Sequence, residues 1–320
     1  MPFPTYAALN EQMIEHFQNK EYQQALDLIL SESSNFPAER ILVDYWKMCS
    51  AARLDNRALV YQVAEQFHSD GLWYGDVMWR QTPSFQKLQG EENFERLVAA
   101  SKKVMEADPN ASQSVSLKYL PEDHSSKSPL IIALHGNQYK ASDTVPFWQP
   151  AVSQGYVLAV PQSTQAAYKD AYVWDELEIS FADVKACYAK IQADTAFDEN
   201  HVILAGHSMG ALIALHMALT GMLNLRGFIA NGPALPFTDT PDELDALLPS
   251  ACERGLRGYF IIGEKDVDIE QEEVRAFAEK LKSAGIACEL ETVPGATHDY
   301  SPAYDAALLH ALSFLGNTDN

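Results

Sequence analysis

The segment His201-Val202-Ile203-Leu204-Ala205-Gly206-His207-Ser208-Met209-Gly210 carries an apolar run into a Gly-x-Ser-x-Gly pattern, and the apolar stretch Ala211–Leu219 follows at helical spacing. A serine on a sharp strand-to-helix turn holds its hydroxyl clear of the sheet, beside a helix N-terminus that favours developing negative charge. Glycines two residues before and after leave room for strand and helix to approach. Ser208 is therefore a candidate nucleophile, although a capping serine on a tight turn would use the same residues. Such a hydroxyl needs a base, and the base needs a group to orient it. Downstream, Gly263-Glu264-Lys265-Asp266-Val267-Asp268 offers three carboxylates directly after an apolar run. Another run, Cys288–Val293, leads into Pro294-Gly295-Ala296-Thr297-His298-Asp299. Of the nine histidines, His298 alone follows those carboxylates at an expected strand end, since His310 falls within the last helical stretch.

The elements that must bring these groups together are legible as a change of rhythm. Strands are expected at Ser114–Leu120, Leu130–Leu134, Tyr156–Val160, His201–Ala205, Gly227–Ala230, Tyr259–Ile262 and Cys288–Val293. Helical patterns lie between most of them, at Leu177–Gln192, Met209–Thr220, Pro241–Cys252 and Glu270–Ala284, and a last helix is expected at Ala303–Phe314. This alternation predicts an α/β architecture, a mostly parallel sheet flanked by helices. Ligands in such sheets bind at the carboxyl ends of the strands, where Ser208, the three carboxylates and His298 all fall.

Through the Gly206-His207-Ser208-Met209-Gly210 elbow, this part of the chain, about 113–317, resembles the α/β-hydrolase family. The family order of serine, acid and histidine implies Asp266 as the acid, with Asp268 and Glu264 as rivals, and His298 as the base. One oxyanion donor is expected from the Met209 N–H at the helix head. The loop Leu134-His135-Gly136-Asn137-Gln138 looks like the His-Gly oxyanion loop of esterases. That implies Asn137 as the second donor, with Gln138 as the alternative and His135 in a structural role. The motifs are most similar to small carboxylesterases and acyl thioesterases, which implies short to medium acyl esters as substrates and neither metal nor cofactor. Tyr139, Trp174 and Phe237 are candidates for the pocket wall, with core packing as the competing reading. A peptidase or amidase on the same fold is the nearest alternative. An adaptor with an inactive hydrolase half is a different class of reading.

Residues 1–110 have another character, with helical periodicity and almost no strand-like runs, and the hydrolase-like domain is expected over 111–320. Helix pairs are expected around the turns Asn19-Lys20-Glu21 and Asp55-Asn56. Tyr22, Ala25 and Pro37 fall at the offsets of a tetratricopeptide repeat's second helix, so this stretch resembles a degenerate pair of such repeats. Two repeats need further packing, and their surface is a candidate for a protein partner or for self-association. The aromatic cluster Trp73, Tyr74, Trp79 and Phe85 is expected to pack inside, with a substrate or partner surface as the competing reading. The formal charge of -21 disfavours nucleic acid and anionic membrane surfaces as partners. The four cysteines show no ligand spacing and read as free thiols of a reducing compartment. With no signal-peptide pattern and no apolar run long enough to span a bilayer, a cytoplasmic location is expected.

Overall fold

The computed structural model describes residues 3–109, 111 and 115–316. Ser114 of the expected first strand and Asn110 of the expected boundary turn lie outside them. The chain divides into two units, one of residues 1–112 with 166–170, the other of residues 113–165 with 171–320.

In the first unit, α1 (Tyr6–Gln18) and α2 (Tyr22–Glu32) form one hairpin, and α3 (Arg40–Arg53) and α4 (Arg57–Ser69) form a second. The short α5 (Asp76–Gln81), a 3₁₀ turn at Pro83–Leu88 and α6 (Glu92–Ala107) follow. Lys20 and Asp55 turn the hairpin corners at φ of 60°. Thr5 and Asn56 cap α1 and α4 by accepting the N–H groups of Ala8 and Leu59. The first four helices pack in chain order and bury Leu9, Met13, Ala25, Ile29 and Val43 between them. A second core is largely aromatic. Phe67 stacks on Tyr74 at 4.5 Å, and Trp79 packs against Tyr74, Phe85 and Phe94. Trp73, Tyr74, Trp79 and Phe85 are all buried, so this cluster is interior packing.

One strand of this unit comes from far along the chain. Within residues 166–170, the Ala167 carbonyl accepts the Gly75 N–H at 2.7 Å, and Tyr168 forms an antiparallel bridge with Tyr74. The backbones come so close that a Cβ on residue 75 would lie 1.8 Å from the Ala166 carbonyl oxygen.

The second unit runs β1 (Ser116–Tyr119), β2 (Leu130–Leu134), α7 (Ala141–Trp148), α8 (Pro150–Ser153), β3 (Val157–Pro161), β5 (Ala171–Val173) and α9 (Leu177–Asp194), while β4 (Gln165–Tyr168), which precedes β5 in the chain, lies mostly in the first unit. The second unit continues with β6 (Val202–His207), α10 (Met209–Thr220), β7 (Gly227–Asn231), α11 (Pro241–Glu253), β8 (Arg257–Gly263), α12 (Gln271–Ser283), β9 (Ala287–Val293) and α13 (Tyr304–Gly316). Seven strands make one sheet in the order β1-β3-β2-β6-β7-β8-β9. Every pair is parallel except β1 with β3. The expected mostly parallel sheet is therefore present. Its central strands are buried along their whole length because helices cover both faces. Leu130, Ile132 and Leu134 of β2 face the core beneath α9, α10 and α12, while Ile131 and Ala133 face the core beneath α7 and α13. The register pairs His207 with Asn231 and Asn231 with Ile261, so the strands end level with one another. None of the described helices is long and apolar enough to cross a membrane.

A Gly75→Ala replacement forces a methyl group into the Ala166 carbonyl, and overpacking of this kind costs about 1–3 kcal/mol or more. Urea denaturation followed by circular dichroism should show the midpoint lowered to match.

Candidate active site

The elbow is built by close approach. Ser208 joins β6 to α10 at φ 53° and ψ −120°, a conformation that residues with a Cβ rarely adopt. A Cβ at Gly206 would sit 2.4 Å from the Gly210 carbonyl, and one at Gly210 would sit 2.3 Å from the His135 carbonyl oxygen. Both glycines are therefore steric requirements. Ser208 donates its N–H to Asn231 O at 3.0 Å, and its carbonyl accepts from Ala211 and Leu212. The N–H groups of Met209 and Gly210 are left at the helix head with no protein acceptor among the described residues.

The structure brings Ser208, His298 and Asp266 into one hydrogen-bonded line. His298 Nε2 lies 3.0 Å from Ser208 Oγ, and His298 Nδ1 lies 2.9 Å from Asp266 Oδ2. In this arrangement the Nδ1–H donates to the carboxylate and Nε2 accepts the serine O–H. The two rival carboxylates do not meet the ring in this way. Glu264 accepts the Gly295 N–H at 2.7 Å, and Asp268 is exposed while its N–H donates to Asp266 Oδ1 at 3.0 Å. Burial pulls the His298 pKa down, but the Asp266 hydrogen bond and the charges of Asp266, Asp268 and Asp299 outweigh it, so the net shift is upward. Asp266, Asp268 and His298 offer possible metal-ligand atoms within 4.8 Å of one another. Two of those three, His298 and Asp266, already share a hydrogen bond.

The loop after β2 supplies the facing side. His135 is fully buried, its Nδ1–H donates to Gly136 O at 2.7 Å, and its Nε2 accepts the Ser163 N–H at 3.2 Å. Burial pushes its pKa down to about 4, so it is a neutral strut. Asn137 is held at both ends of its amide, accepting from the Trp174 N–H and donating to Asp175, each at 3.1 Å. Its backbone N–H has no protein acceptor among the described residues, whereas the Gln138 N–H is taken by Tyr172 O at 2.7 Å. Asn137 therefore keeps a donor that Gln138 lacks.

The expected pocket residues divide. Trp174 has no exposed surface; its ring packs on His135 at 4.7 Å and its Nε1–H donates to His135 O, so it supports the loop and offers nothing to a ligand. Tyr139 is half-buried and donates its hydroxyl to Asp299. Phe237 is half-buried and stacks on His216 of α10 at 4.6 Å. Two neighbours of His298 carried no signal in the sequence. His207, between the elbow's glycine and serine, lies beneath it at 4.7 Å between ring centres, with its pKa pushed down to about 3 by burial. Tyr300 also packs on His207, at 4.4 Å, stacks on Phe147, and accepts the Trp148 Nε1–H.

A neutral His298 is needed to take a proton, and its pKa lies above the ordinary 6.5. Any activity of this site should therefore fall as pH drops through a value above 6.5. An Asp266→Asn variant should move that limb downward and reduce kcat by about 10⁴, the loss expected when the imidazole tautomer is no longer held. A pH–rate profile of both proteins tests the shift.

A family described as serine aminopeptidase, S33, matches residues 164–253, a segment that contains Ser208. None of the curated proteins matches the chain. Among solved structures, an uncharacterized protein from Bacillus cereus ATCC 10987 is similar over 98% of this chain and 99% of its own, with 26% identity and a TM-score of 0.54. Esterase PE8 is similar over 62% of this chain and 100% of its own, at 21% identity and a TM-score of 0.50. TT1662 from Thermus thermophilus is similar over 63% of this chain and 94% of its own, at 17% identity and a TM-score of 0.50. With the seven-stranded sheet and its serine elbow, these likenesses establish that the chain has the α/β-hydrolase fold, joined to a smaller helical unit.

Proposed function

We propose that the chain is a serine hydrolase that cleaves carboxylic esters or thioesters through an acyl-enzyme intermediate. The observation that carries this reading is the line Ser208 Oγ, His298 Nε2 and Nδ1, Asp266 Oδ2, with steps of 3.0 and 2.9 Å. Ser208 attacks the substrate carbonyl carbon as its proton passes to His298 Nε2. The imidazolium so formed is stabilised by the buried Asp266 carboxylate against its Nδ1–H. Negative charge gathers on the carbonyl oxygen, and the Met209 and Asn137 N–H groups are the donors available for it. Each preset donor of this kind is worth about 3–4 kcal/mol at the transition state. Collapse of the intermediate breaks the bond to the leaving oxygen or sulfur, which takes the proton from His298. Water then attacks the acyl carbonyl carbon as His298 Nε2 takes its proton; the bond to Ser208 Oγ breaks, Oγ recovers the proton from His298, and the acyl group leaves as the carboxylic acid.

The similarity to serine aminopeptidases favours one second reading, cleavage of an amide with the same relay delivering its proton to nitrogen. Esters and aminoacyl amides tested side by side distinguish the two. In either case Ser208→Ala should lower kcat by about 10⁴ or more and abolish labelling by a fluorophosphonate probe. An adaptor function, by contrast, would survive that replacement. Hydrolysis of p-nitrophenyl esters that persists in the alanine variant would refute the assignment of Ser208.

A further inference from the structure

Four residues of α10 are not buried: Met209, Leu212, His216 and Thr220, which fall on one helix face. The stripe starts beside Ser208 and reaches His216 seven residues later, about 10 Å along the helix at 1.5 Å per residue. On one side it is flanked by the loop after β7. That loop is tied to α10 at both ends: the Ala234 N–H donates to Ser208 O at 3.3 Å, and the Phe237 ring stacks on His216 at 4.6 Å. Leu235, partly buried, lies in the chain between these anchors. Phe181 of α9 also packs on His216, at 4.7 Å. The His216 ring thus contacts two phenyl rings, and burial lowers its pKa, which keeps this end uncharged. Phe237 takes φ 63°, a costly backbone conformation for a bulky residue, so its position is imposed rather than relaxed.

We propose that this stripe is the floor of an acyl trough: a linear, uncharged acyl chain of medium length lies over Met209 and Leu212 and ends against His216 and Phe237. The proposal rests on the serine-hydrolase reading and names the substrate class for it. The assignment to the acyl arm follows from the proton path. The leaving atom must face His298 Nε2, whereas the trough runs from Ser208 along α10, flanked by residues 234–237 and Phe181. Charged groups near its far end are Glu178 and Glu243, both acidic, which disfavours an acyl chain ending in a carboxylate.

The test compares wild type, Leu212→Trp and Phe237→Ala on p-nitrophenyl esters from acetate to laurate, and on acetate esters of alcohols of increasing length. Fluorophosphonate labelling of each protein reports whether the nucleophile is intact. Filling the floor with Leu212→Trp should lower the octanoate-to-acetate ratio of kcat/KM by about tenfold or more. Opening the end with Phe237→Ala should raise the laurate-to-octanoate ratio several-fold, and decides the matter alone if the tryptophan variant does not fold. Labelled, active variants whose acyl ratios match wild type would overturn the trough and leave the serine chemistry standing. A shift confined to the alcohol series would overturn the acyl assignment. A wild type that neither labels nor turns over would remove the hydrolase reading, and this inference with it.

Discussion

The conformation of Ser208 is the constraint on which the site depends. Holding a residue with a Cβ at φ 53° and ψ −120° costs on the order of 1–3 kcal/mol, so the surroundings must over-determine it. Three contacts do so: the Ser208 N–H is fixed by Asn231, its carbonyl is engaged by Ala211 and Leu212, and Gly206 and Gly210 let β6, α10 and the His135 carbonyl meet. The same close approach brings the head of α10 against the end of β2. The donors of Met209 and Asn137 thus come from adjoining elements because the glycines permit that contact, and a methyl group at position 210 would push them apart.

Three histidines near the elbow show how environment divides one residue type into different roles. His135 and His207 are buried without a hydrogen bond to a carboxylate, and burial holds both neutral, near pKa values of about 4 and 3. His298 is also partly desolvated, yet Asp266 against its Nδ1 reverses the balance. The two neutral rings act as packing: one props the loop after β2, the other lies beneath His298 and against Tyr300. Neither competes for the proton that a relay through His298 would move.

Much of this was legible in the sequence because it rests on local chemistry. The buried strands are continuous apolar runs, and α10 spans Met209–Thr220 as its pattern predicts. The α/β order of the elements and the elbow could be read from a few residues each. The choice among Glu264, Asp266 and Asp268 could not, since three carboxylates within five positions share one spacing. It depends on the turn that follows β8, where the Asp266 N–H bonds Gly263 O and the Lys265 N–H bonds Ala296 O, which sends Asp266 inward and leaves Asp268 in solvent. β4 and β5 were missed because four and three residues are too few to show a period. Helix α7 was missed because Pro146 breaks its pattern. Trp174, an apparent pocket wall in the sequence, is a strut, a distinction that only tertiary packing makes.

The strand contributed by residues 166–170 bears on how the chain is made. Its partners, Tyr74 and Gly75, leave the ribosome some ninety residues before it does. During synthesis the contacts of Tyr74 and Gly75 with this segment can therefore form only after β1 to β3 of the second unit have also emerged. A nascent chain arrested before residue 166 would carry helices without their closing strand, and one released after residue 170 would carry that unit complete. The order of translation thus couples the folding of two units that the contact pattern otherwise separates.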